Sequence, residues 1–324
     1  MLFEYLRNRV VLMAVTLCAL AACAPNTASA GTTALPHEAS EAMDRIYAGD
    51  PQGAIVILHT LQKSQPENPL GFLLEGEAEW WQIYCESAEV KYGMIDDWKR
   101  GKKPEDDAYF ALADNVIALS QAQIAKSDTA EMHFYEGSGY ALKARLYALR
   151  GENRAVAHAG VAARTEYLRA LELDPQMADA TAGLGLYNYY VDSLPAIVKV
   201  LRFFMGIPAG DREAGIRQMQ IGIDSGVLSK VAMRFYLAKN LRNFEREYEK
   251  AISVAEPLAT AYPQNPTFQL LLGNLNEELG RTEKASEYFH AAVQVSSAHD
   301  NCATCSLCKI RVREITDSFF AARR

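Results

Sequence analysis

Cysteine, proline and glycine are all scarce in this chain of 324 residues. Six cysteines are too few to hold together a disulfide-built scaffold of this length, and 12 prolines with 20 glycines exclude a collagenous or low-complexity chain. Hydrophobic residues make up 49% of the sequence, which is enough to form one or two cores. We therefore expect a folded globular protein.

The chain also has fewer positive charges than negative ones. It contains 33 Lys and Arg residues against 40 Asp and Glu residues, so the formal net charge is -7. An acidic protein repels the phosphate backbone of nucleic acids instead of releasing counterions from it. We expect no nucleic acid among the partners.

Motifs that carry catalysis are missing as well. None of the 6 histidines stands in an H-E-x-x-H motif, and no G-x-S-x-G motif is present. The glycine-bearing segment 206–216 lacks the Gly-Lys-Ser/Thr element of a phosphate loop, and its Asp211 is instead suited to cap the helix that follows. The sequence predicts neither an enzyme nor a cofactor.

The N-terminus has the pattern of an export signal. Arg7 and Arg9 precede an apolar run of 13 residues, from Val10 to Ala22. This run is shorter than the roughly 20 residues that a membrane-spanning helix needs, but it fits the hydrophobic region of a signal peptide. We expect residues 1–22 to be removed as a signal peptide.

A cysteine follows this run directly. The sequence Leu20-Ala21-Ala22-Cys23 resembles the lipobox of bacterial lipoproteins, and the resemblance implies acylation of Cys23. No Asp follows Cys23, which by the same resemblance favours the periplasmic face of the outer membrane. Residues 23–36 are small and polar and are expected to form a flexible tether. A competing interpretation is ordinary cleavage after Ala28-Ser29-Ala30, which leaves the protein soluble in the periplasm.

The remainder of the chain has the pattern of helices. Past residue 36, apolar residues recur at spacings of three and four, and there is no long alternating run of β-branched residues. We expect an all-α protein. A series of short helices calls for a search for internal repeats, because repeats decide the architecture.

Residues 266–299 contain a recognisable repeat unit. Its defining positions are Leu272-Gly273, Gly280, Ala285, Phe289 and Ala292. Their spacing resembles the tetratricopeptide repeat, a two-helix unit of 34 residues. The resemblance implies that Gly280 supplies the turn between the two helices and that Phe289 fills space against the next repeat.

Residues of the same types recur at this spacing in other parts of the chain. Matching sets are Gly49, Ala54 and Pro66; Ala170, Pro175, Leu184 and Gly185; and Ala251 and Pro263. Pro175 follows Gly151 by 24 positions, whereas Ser297 follows Gly280 by 17. An excess of about two helical turns preserves the inward face and predicts an elongated hairpin.

The resemblance implies the architecture of the whole chain. We expect an all-α, right-handed solenoid of about five to six helical hairpins over residues 37–299. A C-terminal capping helix in residues 300–324 is expected to cover the last apolar face, because an uncapped solenoid exposes a layer built for burial.

A peptide-binding groove follows from the same resemblance. Asn240 and Asn274 are 34 residues apart, on the first helices of successive repeats. In this family such an Asn often holds the main chain of an extended peptide, since an amide can both donate and accept. The candidate groove is completed by Arg234, Tyr236, Lys239 and Tyr190. The alternative is that both Asn residues are ordinary solvated helix positions.

Two further segments allow two interpretations each. Tyr187, Tyr189 and Tyr190 could serve in recognition, or they could pack between helical layers. The apolar segment 194–207 is too short to span a membrane, and it is either a buried crossing helix or an exposed surface for a partner or lipid.

Three cysteines cluster near the C-terminus, at Cys302, Cys305 and Cys308. An exported chain meets an oxidising compartment, which favours a structural disulfide such as Cys302–Cys305 or Cys305–Cys308. A metal site needs a fourth ligand, which His299, Asp300 or Cys85 could supply. Cys85 stands too far along the chain to be placed. Thiol redox activity and free thiols stay open as alternatives.

These observations together predict a function. We expect a lipid-anchored tetratricopeptide-repeat scaffold that binds one or more protein partners of the cell envelope through its concave groove. The alternative is a small-ligand or lipid-binding accessory of an envelope transport system, with segment 194–207 lining a tunnel.

Overall fold

The computed structural model describes residues 35–87, 100–194, 199, 202, 206–297 and 303–322. Within these residues all regular structure is helical. The helices are α1 (His37–Tyr47), α2 (Pro51–Ser64), α3 (Leu70–Ser87), α4 (Asp106–Ile124), α5 (Ala130–Leu149), α6 (Asn153–Leu173), α7 (Ala178–Asp192), α8 (Arg212–Ser225), α9 (Lys230–Asn240), α10 (Tyr248–Ala261), α11 (Pro266–Glu278), α12 (Thr282–Ser297) and α13 (Ala303–Ala321). A π-helical turn, Leu241–Glu245, extends α9.

These helices form six successive hairpins, from α1–α2 to α11–α12, and each helix packs against the next one in the chain. The last helix, α13, packs against α12 and also against α3. The expectation of an all-α repeat solenoid of five to six hairpins is confirmed. None of the described helices combines the length and the apolar character that crossing a bilayer requires.

Short turns inside the hairpins explain where the helices end. Gly49, Gly151 and Gly280 have φ angles of 87°, 72° and 69°, in the left-handed region that glycine enters without a steric penalty. Arg246, which precedes Gly280 by 34 residues, adopts the same region with a φ angle of 56°. The turn that the sequence predicts at Gly280 is therefore confirmed, and the backbone conformation recurs one repeat earlier without glycine.

Side-chain caps fix the starts of several helices. The Asp211 carboxylate accepts a hydrogen bond from the Ala214 amide at 2.9 Å, as the sequence predicts for an N-cap. The Asn265 side chain accepts from the Thr267 amide at 2.9 Å at the start of α11. Each cap satisfies a backbone donor that the helix itself leaves without a partner.

The third hairpin is longer than the hairpins near the C-terminus. Helices α5 and α6 have 20 and 21 residues, whereas α11 and α12 of the last hairpin have 13 and 16. The elongated hairpin predicted from the spacing of Gly151 and Pro175 is thus confirmed.

Close packing in the last repeat depends on its small residues. A Cβ atom on Gly273 would lie 2.6 Å from the Phe289 ring, so only glycine allows α11 and α12 to approach this closely. Phe289 is fully buried, and its ring centre lies 4.6 Å from that of Phe319 in α13. Phe289 therefore joins the repeat to the helix that follows it.

The array curves until its first hairpins meet its last ones. Trp81 on α3 packs its ring 5.0 Å from that of Phe235 on α9 and 5.7 Å from that of Phe268 on α11. The Asn265 side-chain amide donates to the Tyr47 carbonyl at 2.9 Å, which joins the end of α1 to the start of α11. The inner rings form a central aromatic cluster: Tyr47, Trp80, Trp81, Tyr84, Phe235, Tyr236 and Phe268.

Candidate functional site

The residues predicted to line a peptide groove lie in the interior of the described structure. Asn240, Asn274 and Lys239 expose 0%, 1% and 4% of their surface. Because the array closes on itself, side chains of its first helices fill the space that an open solenoid leaves as a groove. The expectation that the Asn240 and Asn274 amides face an open groove is therefore corrected.

The Asn240 side chain is used for internal contacts. Its Oδ1 accepts a hydrogen bond from the Tyr190 hydroxyl at 3.0 Å, and its Nδ2 lies 3.9 Å from the Met219 Sδ. These contacts join α9 to α7 and α8, so Asn240 helps to hold three helices in register. A peptide could reach this amide only by displacing them.

The other predicted groove residues are divided between the interior and the rim. The Tyr236 hydroxyl accepts a hydrogen bond from the Trp80 Nε1 at 2.8 Å, and the Lys239 Nζ lies 5.1 Å from the centre of the Tyr84 ring. Arg234 is half-buried and donates to the Val254 carbonyl at 3.4 Å. Tyr190 is also half-buried. Arg234 and Tyr190 are thus the members of the predicted set that retain contact with solvent.

An ion pair that the sequence analysis did not single out borders the aromatic cluster. The Arg145 guanidinium on α5 donates to the Glu77 carboxylate on α3, with one Nη1 to Oε2 distance of 3.0 Å. The guanidinium also lies 5.3 Å from the centre of the Trp80 ring. Burial alone lowers the pKa of Arg145, but Glu77 and the neighbouring tyrosine hydroxyls outweigh it and raise that pKa well above its ordinary value.

The tyrosines of α7 serve packing. Tyr189 is fully buried, and its hydroxyl donates to the Glu245 carboxylate at 2.8 Å. Burial and the nearby Glu245 carboxylate together raise the pKa of Tyr189. The Tyr187 hydroxyl donates to the Pro208 carbonyl at 2.9 Å. Of the two interpretations of these tyrosines, the structure supports contacts between helical layers.

A family comparison agrees with the helical repeats. The tetratricopeptide repeat model matches residues 237–300, from the last turn of α9 to just beyond the end of α12. Residues 237–300 therefore belong to the tetratricopeptide repeat family. No curated protein matches it significantly.

Tetratricopeptide repeats generally mediate protein–protein interaction, and proteins built from them are typically scaffolds without catalytic activity. The match begins within the segment that holds Lys239 and Asn240 and includes Asn274. It therefore covers three of the six predicted groove residues, and all three are buried.

Several predicted features lie outside the described residues. These include Cys23, the tether up to residue 34, Cys302 and most of segment 194–207. Cys305 and Cys308 belong to α13, but their side chains are likewise not described. The proposals of a ligand tunnel and of a metal site at the cysteine cluster therefore stay predictions.

Cys85, in contrast, is placed by the structure. This residue of α3 is disulfide-bonded, and α3 packs against α13. The view that Cys85 stands too far along the chain to be placed is therefore wrong, because the closure of the array brings α3 next to the C-terminal helix. Its bonding partner belongs to the cysteines whose side chains are not described.

We expect Cys85 to pair with one member of the C-terminal cluster. Proteolysis of the oxidised protein followed by mass spectrometry should yield a peptide that joins α3 to Cys302, Cys305 or Cys308. Replacing Cys85 by Ser should lower the free energy of unfolding by about 2–5 kcal/mol, the usual effect of removing a native disulfide. Bridges confined to the cluster itself would contradict this assignment.

Proposed function

We propose that this tetratricopeptide repeat protein is a scaffold at the periplasmic face of the outer membrane, where it binds another protein of the cell envelope. The observation that carries the proposal is the stack of six helical hairpins with a family match over residues 237–300. Such a stack offers an extended surface to a partner. No catalytic motif in the sequence competes with this interpretation.

The proposed location at the outer membrane is inferred from the N-terminal sequence. An acylated Cys23 carries several hydrocarbon chains, and each buried methylene contributes about 0.8 kcal/mol to membrane attachment. More than one chain is needed for lasting attachment, and the lipobox-like sequence implies more than one. The tether of residues 23–36 then leaves the helical array free to meet a partner near the membrane.

The proposed binding surface is the outer side of the array. In the described residues the inner face is occupied by the protein's own side chains, while the large apolar side chains that stay exposed lie elsewhere. They are Val56 on α2, Leu173 on α6, Ile221 on α8, Val227 after α8 and Ile310 on α13. Apart from the terminal helix, these positions belong to or directly follow the second helix of a hairpin. We infer that the partner contacts second helices.

The proposed membrane attachment is tested by comparing two cysteine variants. Cys23→Ser should abolish incorporation of labelled fatty acid and move the protein from the membrane fraction to the soluble fraction. Cys18→Ser is the matched control, because Cys18 lies within the signal peptide and its loss should leave both properties unchanged. A mature N-terminus at residue 31, or membrane attachment that survives Cys23→Ser, would contradict the proposed anchor.

Partner binding is tested by crosslinking in cells. A photoreactive amino acid at Val56 or Ile221, which are 69% and 45% exposed, should not disturb packing and should capture the partner from the outer side. The same probes in a chain that lacks residues 1–22 should lose this product, because a chain without its signal peptide is not exported to the envelope. Absence of any crosslinked protein from exposed positions on the second helices would contradict a scaffold of this kind.

A further inference from the structure

A polar cluster that the proposed function does not use lies where α5 packs against α6. His133 and Glu136 stand three residues apart on α5 and share a face of that helix, and Glu166 approaches them from α6. One ligand atom from each of these three side chains lies within 4.8 Å of the other two. Two adjacent helices thus bring one imidazole and two carboxylates to a single point.

The hydrogen bonds of His133 fix the orientation of its imidazole ring. Its Nε2 lies 2.6 Å from the Asp128 Oδ1, and its Nδ1 lies 2.6 Å from the Glu166 Oε2. A neutral imidazole has one N–H group, so donation to Asp128 turns the lone pair of Nδ1 towards the Glu166 carboxylate. A contact of 2.6 Å holds a shared proton, so a metal ion that binds both the Nδ1 and the Oε2 atom must replace this proton and move the two atoms apart.

Neighbouring side chains hold the three candidate ligands in place. Asp128, the partner of His133, accepts a second bond from the Arg169 guanidinium at 2.5 Å. The Gln121 side chain donates to the Glu136 Oε1 at 2.7 Å. A carboxylate that fixes the outer nitrogen of a histidine, together with an amide on a ligating carboxylate, is the support that protein metal sites usually have.

The cluster is largely shielded from water. His133 and Glu136 are exposed by 8% and 6%, and the Glu166 side chain by 19%. The Glu136 and Glu166 carboxylates are poorly solvated here and repel each other, and a bound cation relieves this repulsion. The partial exposure of Glu166 leaves an entry path for such an ion.

We propose that His133, Glu136 and Glu166 bind a divalent transition-metal ion of the zinc type. Zinc accepts imidazole nitrogen together with carboxylate oxygen at about 2.0–2.2 Å, and three protein ligands leave a fourth position for water or for a partner's side chain. Tetrahedral ligands at that distance are about 3.4 Å apart, which small side-chain rotations achieve from the present spacing. Calcium and magnesium prefer all-oxygen sites, so the imidazole selects against them.

This inference stands apart from the scaffold proposal, because it concerns a buried cluster and not the surface that meets a partner. A pattern in the sequence could have pointed to it. His133 and Glu136 form an H-x-x-E pair at helical spacing. The third ligand, Glu166, becomes evident only once α5 and α6 pack as a hairpin.

The test is calorimetric titration of the full mature chain, prepared without a histidine tag and stripped of metal with a chelator. Free thiols are blocked by alkylation beforehand, so that the C-terminal cysteines cannot bind the metal. Zinc chloride should bind at one ion per chain, and calcium chloride should not bind. The double variant Glu136→Gln plus Glu166→Gln should weaken zinc binding by more than about 100-fold, and Asp128→Asn by about 10–100-fold.

A second histidine offers a matched control. His59 lies 3.0 Å from the Glu75 carboxylate, but the described residues place no third ligand beside it of the kind that surrounds His133. His59→Gln should therefore leave zinc affinity within about twofold of the native value, because one imidazole with one carboxylate makes no closed site. Helical content from circular dichroism shows whether each variant folds. Zinc should raise the unfolding temperature of the native chain but not that of the Glu136→Gln plus Glu166→Gln variant.

Two results would overturn the proposal. One is absence of zinc binding by the native chain, which would leave the contacts of His133 with Asp128 and Glu166 as structural hydrogen bonds alone. The other is native zinc affinity in a folded Glu136→Gln plus Glu166→Gln variant, which would place the ion elsewhere in the chain.

Discussion

Replacing Trp81 by Ala should lower the free energy of unfolding by about 3–5 kcal/mol, the range found when a large buried aromatic side chain is removed from a core. Trp81 is 5% exposed, and its ring contacts Tyr47, Phe235 and Phe268, which belong to α1, α9 and α11. The lost contacts therefore join parts of the array that are distant in sequence. Urea-induced unfolding followed by circular dichroism measures the change.

The control for this variant is Val56→Ala. Val56 is an apolar residue with 69% of its surface exposed, so its truncation should change stability by less than about 0.5 kcal/mol. A double-mutant cycle of Trp81→Ala with Phe268→Leu should show a coupling of about 0.5–3 kcal/mol if the two rings touch in solution. Independent, additive effects would mean that α3 and α11 do not meet.

Replacing Arg145 by Met should also lower the free energy of unfolding strongly. The substitution leaves the Glu77 carboxylate without its guanidinium partner in a largely buried place. Breaking a fully buried pair costs about 3–5 kcal/mol, and since both side chains keep about a fifth of their surface exposed we expect the lower end of this range. Urea-induced unfolding again measures the change.

Two comparisons separate this ion pair from general effects of charge. Lys143 lies on the same helix and pairs with the exposed Asp114 carboxylate at 2.7 Å, so Lys143→Met should cost less than about 1 kcal/mol. The double variant Arg145→Met plus Glu77→Gln should recover part of the loss, because no charge is then left without a partner. A double variant that loses the full sum of the single effects would show that the two groups do not interact.

Features contained within one repeat could be predicted from the sequence. The turn at Gly280, the cap at Asp211, the elongated third hairpin and the packing of Phe289 depend on contacts between neighbouring segments. Local patterns of glycine, small residues and capping residues determine them. The number of hairpins follows from the same patterns.

Features that depend on the curvature of the whole array could not be predicted in this way. Curvature accumulates from a small rotation at each repeat, and no short pattern records it. The positions of Asn240 and Asn274 within their repeats suggested an open groove, although the closed array buries both residues. Distance along the chain likewise suggested that Cys85 could not be placed, whereas α3 and α13 lie side by side.

Closure of the array also bears on how a partner can bind. A groove filled by aromatic rings cannot receive a peptide without separating α3 from α9, and that step would break the contact between Trp81 and Phe235. Exchange of Asn240 and Asn274 for Ala therefore tests folding more than binding. Binding through the outer side of the second helices needs no such rearrangement.

Native-state hydrogen exchange on the full-length protein tests the closed array most directly. If the first hairpins pack against the last ones, the central amides of α3, α9 and α11 should exchange with one common free energy of opening, and Trp81→Ala should reduce it in all three helices together. In an open solenoid each repeat contacts only its neighbours. Loss of protection in α3 alone, with α9 and α11 unchanged, would contradict the closed arrangement.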